Sequence, residues 1–417
     1  MSESQRSVRP ETAAEVAQAV REAVRAGEAI TVVCGGHGPW SHAPHPGVRV
    51  ELSALDGVEI DGLALDGEDA VVHIGGGALW GDVAERLAAD GLAISSGDTA
   101  SVGVGGLTLG GGIGWMVRAW GLASDQLIGA QIVTAAGEIV EASAEENADL
   151  FWALRGGGGN FGIVTRFDFA AHPLDGIASV EIPIAGDAAA MLRAVRDAMT
   201  DAPRELTVTY MDVPAMDPSA PAGARLAAVW AGADPEALRR ALGGIIDLAG
   251  GEVEITTPRY RDILMEMPEM PADAGSPPGF LGGNGLHAVL SDALIDRLVA
   301  FRAAYPASVV FLRSLGAAYG DVAQDDTPFP ARDAQWFVMA GGFDVPGMLD
   351  DAERAAVLAD SEAIQGERLA EYSNFIPEER EAGAVGLHDD AALERLREVK
   401  ARWDPQNVFR RNHNIAM

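Results

Sequence analysis

Lysine is almost absent from this chain: of its 30 basic residues only Lys400 is not an arginine. A Walker-type phosphate loop needs Lys before Ser or Thr, and Lys400 is followed by Ala401, so that nucleotide chemistry is excluded. Schiff-base catalysis would need the same lysine, whose charged helical surroundings predict an exposed amine rather than a desolvated, reactive one. Cysteine is equally scarce. Cys34 stands alone, which rules out an intramolecular disulfide. No apolar run approaches the ~20 residues of a membrane span, and the first 30 residues carry four arginines but no apolar core of a signal peptide. A soluble, cytoplasmic protein without a membrane partner is expected. Neither G-x-S-x-G nor H-E-x-x-H occurs, which removes the usual support for a serine hydrolase or a zincin.

What is present is an acidic globular chain. Its 417 residues are 48% apolar and 22% charged, long enough for a sizeable core and for two or three domains. Acidic residues outnumber basic ones 62 to 30, giving a formal charge of −32. Such a molecule repels phosphate backbones, so nucleic acid is not an expected partner.

Periodicity divides the chain. Apolar positions at helical spacing over Thr12–Ala26 follow a start signal at Pro10 and Glu11. Strands are expected at Ile30–Val33, Val48–Leu52, Ala70–Ile74 and Ile163–Phe169, with a helix at Leu79–Ala89. Leu127–Thr134 and Glu138–Ala142 read as a hairpin turning at Ala136-Gly137. Beyond Pro173 glycine thins out. Strands at Leu206–Tyr210, Arg225–Trp230 and Trp336–Ala340 alternate with helices at Ala188–Met199, Pro235–Leu248, Ser291–Tyr305 and Leu349–Ala363. That order predicts an α+β layer, a sheet with one face covered. Met265–Pro278 reads as a loop, and a last helix, Ala391–Arg402, precedes a polar tail.

Four segments could carry chemistry. Val33 to Gly38 ends a strand in paired glycines, which lets backbone N–H groups approach a phosphate, and displays His37. His37 either caps that turn or works in a site. Cys34, His37, His42 and His45 lie close together, but their spacing fits no closed zinc pattern, and no metal is expected. Residues 97–115 hold eight glycines interleaved with Val102, Val104, Leu107, Leu109 and Ile113, so the run is buried rather than a solvated linker. Arg155 to Thr165 contains four consecutive glycines before a strand, and the tail from Trp403 to Ile415 mixes aromatic, amide and basic groups that suggest docking. Together these point to one large cofactor with a diphosphate and flat rings.

Gly-Gly-His at 35–37, the glycine run at 102–114, Asp-Leu-Phe-Trp-Ala-Leu-Arg-Gly-Gly-Gly-Gly-Asn-Phe-Gly at 149–162, Asp-Asp-Thr-Pro-Phe-Pro-Ala-Arg at 325–332 and Asp-Pro-Gln-Asn-Val-Phe at 404–409 resemble the FAD-linked oxidases of the vanillyl-alcohol-oxidase superfamily. The likeness is to the subgroup of berberine bridge enzyme and 6-hydroxy-D-nicotine oxidase, and it runs nearly the whole chain. It implies a two-part PCMH-type FAD-binding domain, residues 1–173 with a returning segment 371–417, enclosing a substrate domain of residues 174–370 with an antiparallel sheet covered by helices. It implies an oxidase that takes hydride from a CH–OH carbon onto the flavin and passes electrons to O2, giving H2O2. Amine oxidation of the hydroxynicotine type and a flavin-binding protein without turnover are the alternatives.

The same resemblance implies cofactor contacts at Val33, Cys34, Gly35, Gly36, His37, Gly97, Thr99, Val102, Gly103, Gly105, Gly106, Gly110, Gly112, Gly162, Ile163, Val164, Asn412 and Asn414. His37 matches the histidine joined covalently to the flavin. Thr99 stands where many relatives carry a second, cysteinyl link, so a single link is implied, and the small Val102 at the gate position implies oxygen access. One departure stands out. The family's Tyr-x-Asn-Tyr is here Tyr-Ser-Asn-Phe at 372–375, and Phe375 cannot take a proton. Tyr372 and His287 are the candidate bases. Tyr210, Trp230, Arg313, Tyr319 and Trp336 are further pocket candidates, each of which could equally serve ordinary sheet packing.

Overall fold

The first helix begins where Thr12 accepts the N–H of Glu15, runs over Ala13–Ala26, and stops at Gly27, whose φ of 68° gives the left-handed cap. The computed structural model describes residues 6–41, 46–62, 70–214, 223–266, 279–344, 349–376 and 383–417. His42 and His45, and the part of the expected loop after Glu266 up to Pro278, lie outside them.

Among the described residues the strands form three sheets. Strands β1 (Arg6–Val8), β2 (Ile30–Val33) and β3 (Val48–Glu51) pair in parallel in the order β1-β3-β2. Strands β4 (Val58–Asp61), β5 (Ala70–Gly75), β6 (Leu92–Ala93), β7 (Leu127–Val133), β8 (Ile139–Ser143) and β9 (Ile163–Pro173) form an antiparallel sheet, β4-β5-β9-β7-β8 with β6 on β9. The hairpin β7–β8 turns as expected through Gly137, at φ 72°. Strands β10 (Ala178–Pro183), β11 (Leu206–Val213), β12 (Gly223–Trp230), β13 (Gly279–His287), β14 (Ser308–Ser314) and β15 (Trp336–Asp344) make the third sheet, antiparallel in the order β10-β12-β11-β14-β15-β13.

Periodicity did not announce β13. Three of its glycines, Gly282, Gly283 and Gly285, erase the alternation, yet a Cβ on Gly282 would lie 2.5 Å from the Cα of Gly341 across the pair. The helix expected at Pro235–Leu248 is two, Pro235–Ala241 and Gly243–Leu248, interrupted at the poor helix formers Gly243 and Gly244. No helix among the described residues is long and apolar enough to cross a membrane.

The third sheet has two unlike faces. Val208, Tyr210, Leu226, Val310, Leu312, Trp336 and Val338 pack with Met191, Leu192, Leu294, Leu298 and Val357 of the covering helices Ala188–Met199, Asp292–Ala304 and Asp351–Ile364. One residue out of phase, Thr209, Met211, Phe311, Arg313, Phe337 and Met339 turn the other way, toward the glycine-rich half. Two ion pairs cross that boundary with their arginines buried. Arg332 grips Asp125 with two bonds of 2.8 Å, and Arg313 reaches Asp98 at 2.5 Å.

The chain then returns to its first half. Helix Asp390–Trp403 lays Leu393, Leu396 and Val399 into the core of the second sheet, alongside Ile415. Lys400, expected on the surface, lies on that buried face. Its ammonium spends all three protons, on Asn160 O (2.7 Å), Asp404 Oδ2 (2.7 Å) and Phe409 O (3.0 Å). Asp404 in turn accepts the N–H groups of Val408 and Phe409. The single lysine therefore ties the tail to the four-glycine turn. Replacing it by methionine leaves Asp404 buried without its charge partner, and the expected loss is about 3–5 kcal/mol. Urea unfolding at neutral pH measures it; a loss below about 1 kcal/mol, the scale of a solvated surface pair, would show that this node does not hold the tail.

Candidate functional site

The turn after β2 and the glycine run at 97–114 meet backbone to backbone. A Cβ on Gly35 would lie 2.5 Å from Ser101 O, and one on Gly103 would lie 2.6 Å from Gly35 N as well as colliding with Cys34 Sγ. Glycine is required on both sides of this contact. The Cys34 thiol donates to Ala78 O at 3.4 Å, and burial pushes its pKa up, so it packs rather than reacts. His37 is exposed, with Nε2 3.0 Å from Ser101 Oγ across the seam.

Beside that seam lies a cavity of about 570 Å³. Of the residues expected at a cofactor, Cys34, Gly35, Gly36, His37, Gly97, Thr99, Val102, Gly103, Gly105, Gly106, Gly110, Gly162, Ile163, Val164 and Asn412 line it. Val33, Gly112 and Asn414 do not. Val33 is buried one position out of phase with the lining residue Val32, Gly112 turns its N–H to the Tyr372 phenol, and Asn414 engages Ala384 through its backbone carbonyl. The glycines of the run serve two purposes. Gly110 makes room for the Asn374 side chain, whereas a Cβ on Gly106 would meet nothing within 4 Å. Gly106 faces open cavity.

The tail closes another wall. Asn160 donates to Gly157 O and His413 O and accepts the N–H of Ile415. Asn412 donates to Gly159 O at 3.0 Å, and its own Oδ1 is buried with no partner among the described residues. His413 contacts Ser373 O and the edge of Trp40. The wall carries Arg411, His37, His388 and His413, but among the described residues lining it Asp98 is the one carboxylate. An acidic protein thus builds a cavity poor in negative charge.

The third sheet supplies the remaining side with Met211, Val309, Phe311 and Met339, joined by Met265 and Phe375. The pocket candidates Tyr210, Trp230 and Trp336 are not there. They pack with the helix-covered face, which the pleat separates from Met211 and Met339. Tyr319 is buried between the layers and donates to Ala331 O, and Arg313 holds Asp98 rather than lining the wall itself.

His287 is corrected for the same reason. Asn284 shares the cavity-side phase with its partner Met339, so His287, three residues on, turns to the helices, where it is 1% exposed and bonded to Gln365 Oε1 at 3.0 Å. It cannot reach a substrate. Tyr372 does line the cavity, but its oxygen already accepts the N–H groups of Gly112 and Ile113 (3.2 Å each) and Asn374 Nδ2 (2.9 Å), and burial pushes its pKa up. A phenol so engaged fastens the turn to the glycine run and is poorly placed to take a proton. Buried Asn284 clamps the same turn, donating to Tyr372 O and Phe375 O and accepting the Tyr372 N–H. Asn284, Asn374 and Asp98 were missed in the sequence. Two left a signal: Asn374 stands inside the quoted Tyr-Ser-Asn-Phe motif, and Asp98 is the one acid in the glycine-rich run at 97–115.

Comparison with known proteins agrees with this architecture. Residues 4–143 match the family described as FAD binding domain, and residues 391–416 match the family described as berberine and berberine like. An FAD-linked oxidoreductase of Pyricularia oryzae is 30% identical over 442 aligned positions, covering 98% of this chain and 83% of that one. The (R)-6-hydroxynicotine oxidase of Paenarthrobacter nicotinovorans is 38% identical over 164 residues, but the match spans only 39% of this chain and 35% of that relative's length. Among solved structures, a chitooligosaccharide oxidase superposes with a TM-score of 0.83 at 25% identity, over 99% of this chain and 92% of its own.

The buried histidines set a pH dependence of stability. Burial holds the imidazoles of His287 and His388 below their ordinary pKa. The unfolded chain takes up these protons near pH ~6.5, where the folded one resists them. Stability is therefore expected to fall as pH drops below that value, each site contributing at most about 1.4 kcal/mol per pH unit. His287→Gln should flatten the difference between urea unfolding at pH 7 and pH 5.5; an unchanged slope would remove His287 from the account.

Proposed function

The chain belongs to the berberine-bridge-enzyme-like FAD-linked oxidoreductases, and from that premise we propose that it is an FAD-dependent oxidase acting on a CH–OH carbon, with O2 as electron acceptor. The observation that carries the cofactor reading is the two-sided glycine wall. Gly106 faces open cavity, Asn412 keeps a buried acceptor with no partner among the described residues, and Asp98 is the one carboxylate among the described lining residues. Those features suit a large flat cofactor with an anionic end. Bound FAD supplies the acceptor for a substrate hydride and is reoxidised by O2 with release of H2O2.

The residues' own work is placement. The seam of Gly35 and Gly103 presents His37, Val102 and Thr99 to one side of the cavity. Gly162 to Val164 and Asn412 hold the other, with the tail pinned by Lys400. His37 is the residue to which FAD would be joined, and Thr99, lacking a thiol, leaves that link single. The small Val102 leaves room for O2. A second reading, oxidation of a CH–NH carbon, is favoured by the 6-hydroxynicotine oxidase likeness and by Phe375, since a neutral amine needs no strong base.

Acid denaturation tests the attachment. Yellow colour should stay with the precipitated polypeptide and be released from His37→Ala; release from the wild type would overturn the covalent link while keeping FAD. Gly106→Ala tests the cradle. With only open space around the new methyl, and within the helix Val104–Leu109, the FAD-free protein should keep its stability or gain up to about 1 kcal/mol. Its FAD content should nonetheless fall, and full retention would contradict the wall assigned here.

A further inference from the structure

Oxidising a CH–OH carbon requires a group that takes the hydroxyl proton. Phe375 has none to offer, His287 faces the wrong side of its sheet, and the Tyr372 oxygen is filled by three N–H donors. Of the wall histidines, His37 is the proposed FAD link, and His388 and His413 are held against the backbone oxygens of Pro328 and Ser373. Asp98 remains. It is the one carboxylate among the described residues lining the cavity, in a chain with 62 acidic residues, and its side chain is 14% exposed.

Its orientation is built from both halves of the molecule. Its backbone oxygen accepts the Met265 N–H at 2.7 Å, and its Oδ1 receives Arg313 Nη1 at 2.5 Å. Arg313 is itself fixed: it is 1% exposed, donates from Nε to Thr209 Oγ1 at 2.9 Å, and lies 4.3 Å from the Trp115 ring centre. Among the described residues the side-chain bond engages Oδ1 and leaves Oδ2 for a ligand. On the same face of the third sheet as Arg313 stand Met211, Val309, Phe311 and Met339. That wall offers no side-chain partner for a hydroxyl, and a polar group buried without one is penalised. A sugar, with a hydroxyl on nearly every carbon, would meet several such penalties.

Resting on the CH–OH reading above, we propose that Asp98 is the catalytic proton acceptor and that the substrate is an otherwise apolar alcohol whose hydroxyl is turned to Asp98 by the methionine- and phenylalanine-lined wall. In the step, the substrate O–H bond breaks and its proton passes to the Asp98 carboxylate. The C–H bond breaks and its hydrogen leaves with both electrons to FAD, the oxidant, as the C=O bond forms. O2 then removes two electrons and, with that hydrogen and the proton from Asp98, leaves as H2O2, so alcohol and O2 give carbonyl and peroxide.

The test compares wild type, Asp98→Asn and Asp98→Glu, each as FAD-loaded protein with flavin content and melting temperature recorded. Binding is read from perturbation of the flavin visible band, and turnover from O2 uptake, with aromatic and long-chain alcohols, cellobiose and secondary amines as probes. Wild type should bind and oxidise the apolar alcohols and not cellobiose. Asp98→Asn should hold the alcohol within about threefold of wild-type affinity yet lose about 100-fold or more in kcat, and the rising limb of the kcat/KM pH profile should vanish. Asp98→Glu should recover part of kcat with that limb restored.

Turnover of Asp98→Asn within about fivefold of wild type, or preference for cellobiose, overturns the proposal and leaves alcohol oxidation standing. Oxidation of amines alone overturns the underlying CH–OH reading and the proposal with it. If Asp98→Asn does not hold FAD, Asp98→Glu decides: a changed kcat with a shifted limb supports the proposal, and unchanged values overturn it.

Discussion

Everything in the cavity depends on two backbones touching. Gly35, just past the end of β2, and Gly103, at the start of the helix Val104–Leu109, sit so close that a methyl group on either would fall inside the other's backbone. This contact fixes where His37 emerges and where Thr99 and Val102 stand relative to it. Close packing has little tolerance for such a displacement, because neighbouring atoms are already at contact. The strand that leads to the first glycine belongs to the small parallel sheet, and the helix after the second packs Val104 and Leu109 into the core of the second sheet. The seam therefore joins two layers as well as shaping one wall.

The second structural theme is how a strongly acidic chain manages its charge. At −32 it would repel an anionic cofactor at long range, with screening by salt limiting the reach to roughly a Debye length of ~8–10 Å. Locally negative charge is scarce. Arg411 and three histidines line the cavity beside one aspartate, and the buried arginines Arg313 and Arg332 each take up an aspartate of the glycine-rich half. These two pairs hold the third sheet and the loop before β15 against the glycine-rich half. Removing either partner would strand a desolvated charge, so the halves are coupled by electrostatics as well as by the apolar cluster of Ile113, Leu286, Phe329, Phe337 and Tyr372.

The lone lysine shows the same economy in the tail. Its three protons meet three oxygens from the four-glycine turn, the Asp404 side chain and the backbone of Phe409. A segment that would ordinarily fray is thereby held as a wall. Arginine, with its planar fork, would not match three convergent acceptors as the compact ammonium does.

Local chemistry was readable from the amino-acid order. Paired glycines after a strand, a buried glycine-apolar run and a polar tail with Asp-Pro each act through neighbours in the chain, so their residues stand at the cavity much as the motifs imply. The main helices were legible through 3.6-residue spacing, and the structure caps three of them at Thr12, Ser291 and Asp389. Lys400 shares the face of Leu393, Leu396 and Val399, so its burial was written in the same periodicity, but charge argued against it. What the sequence could not decide is which face of the third sheet meets the cavity. A strand exposes alternate residues to opposite sides, and one position of phase sends His287 and Trp336 to the helices while Met339 and Phe311 reach the site. Strand order and register, set by pairing across long separations, also bring Arg313 to Asp98 across 215 residues. No local rule carries that information, and tertiary structure alone decided it.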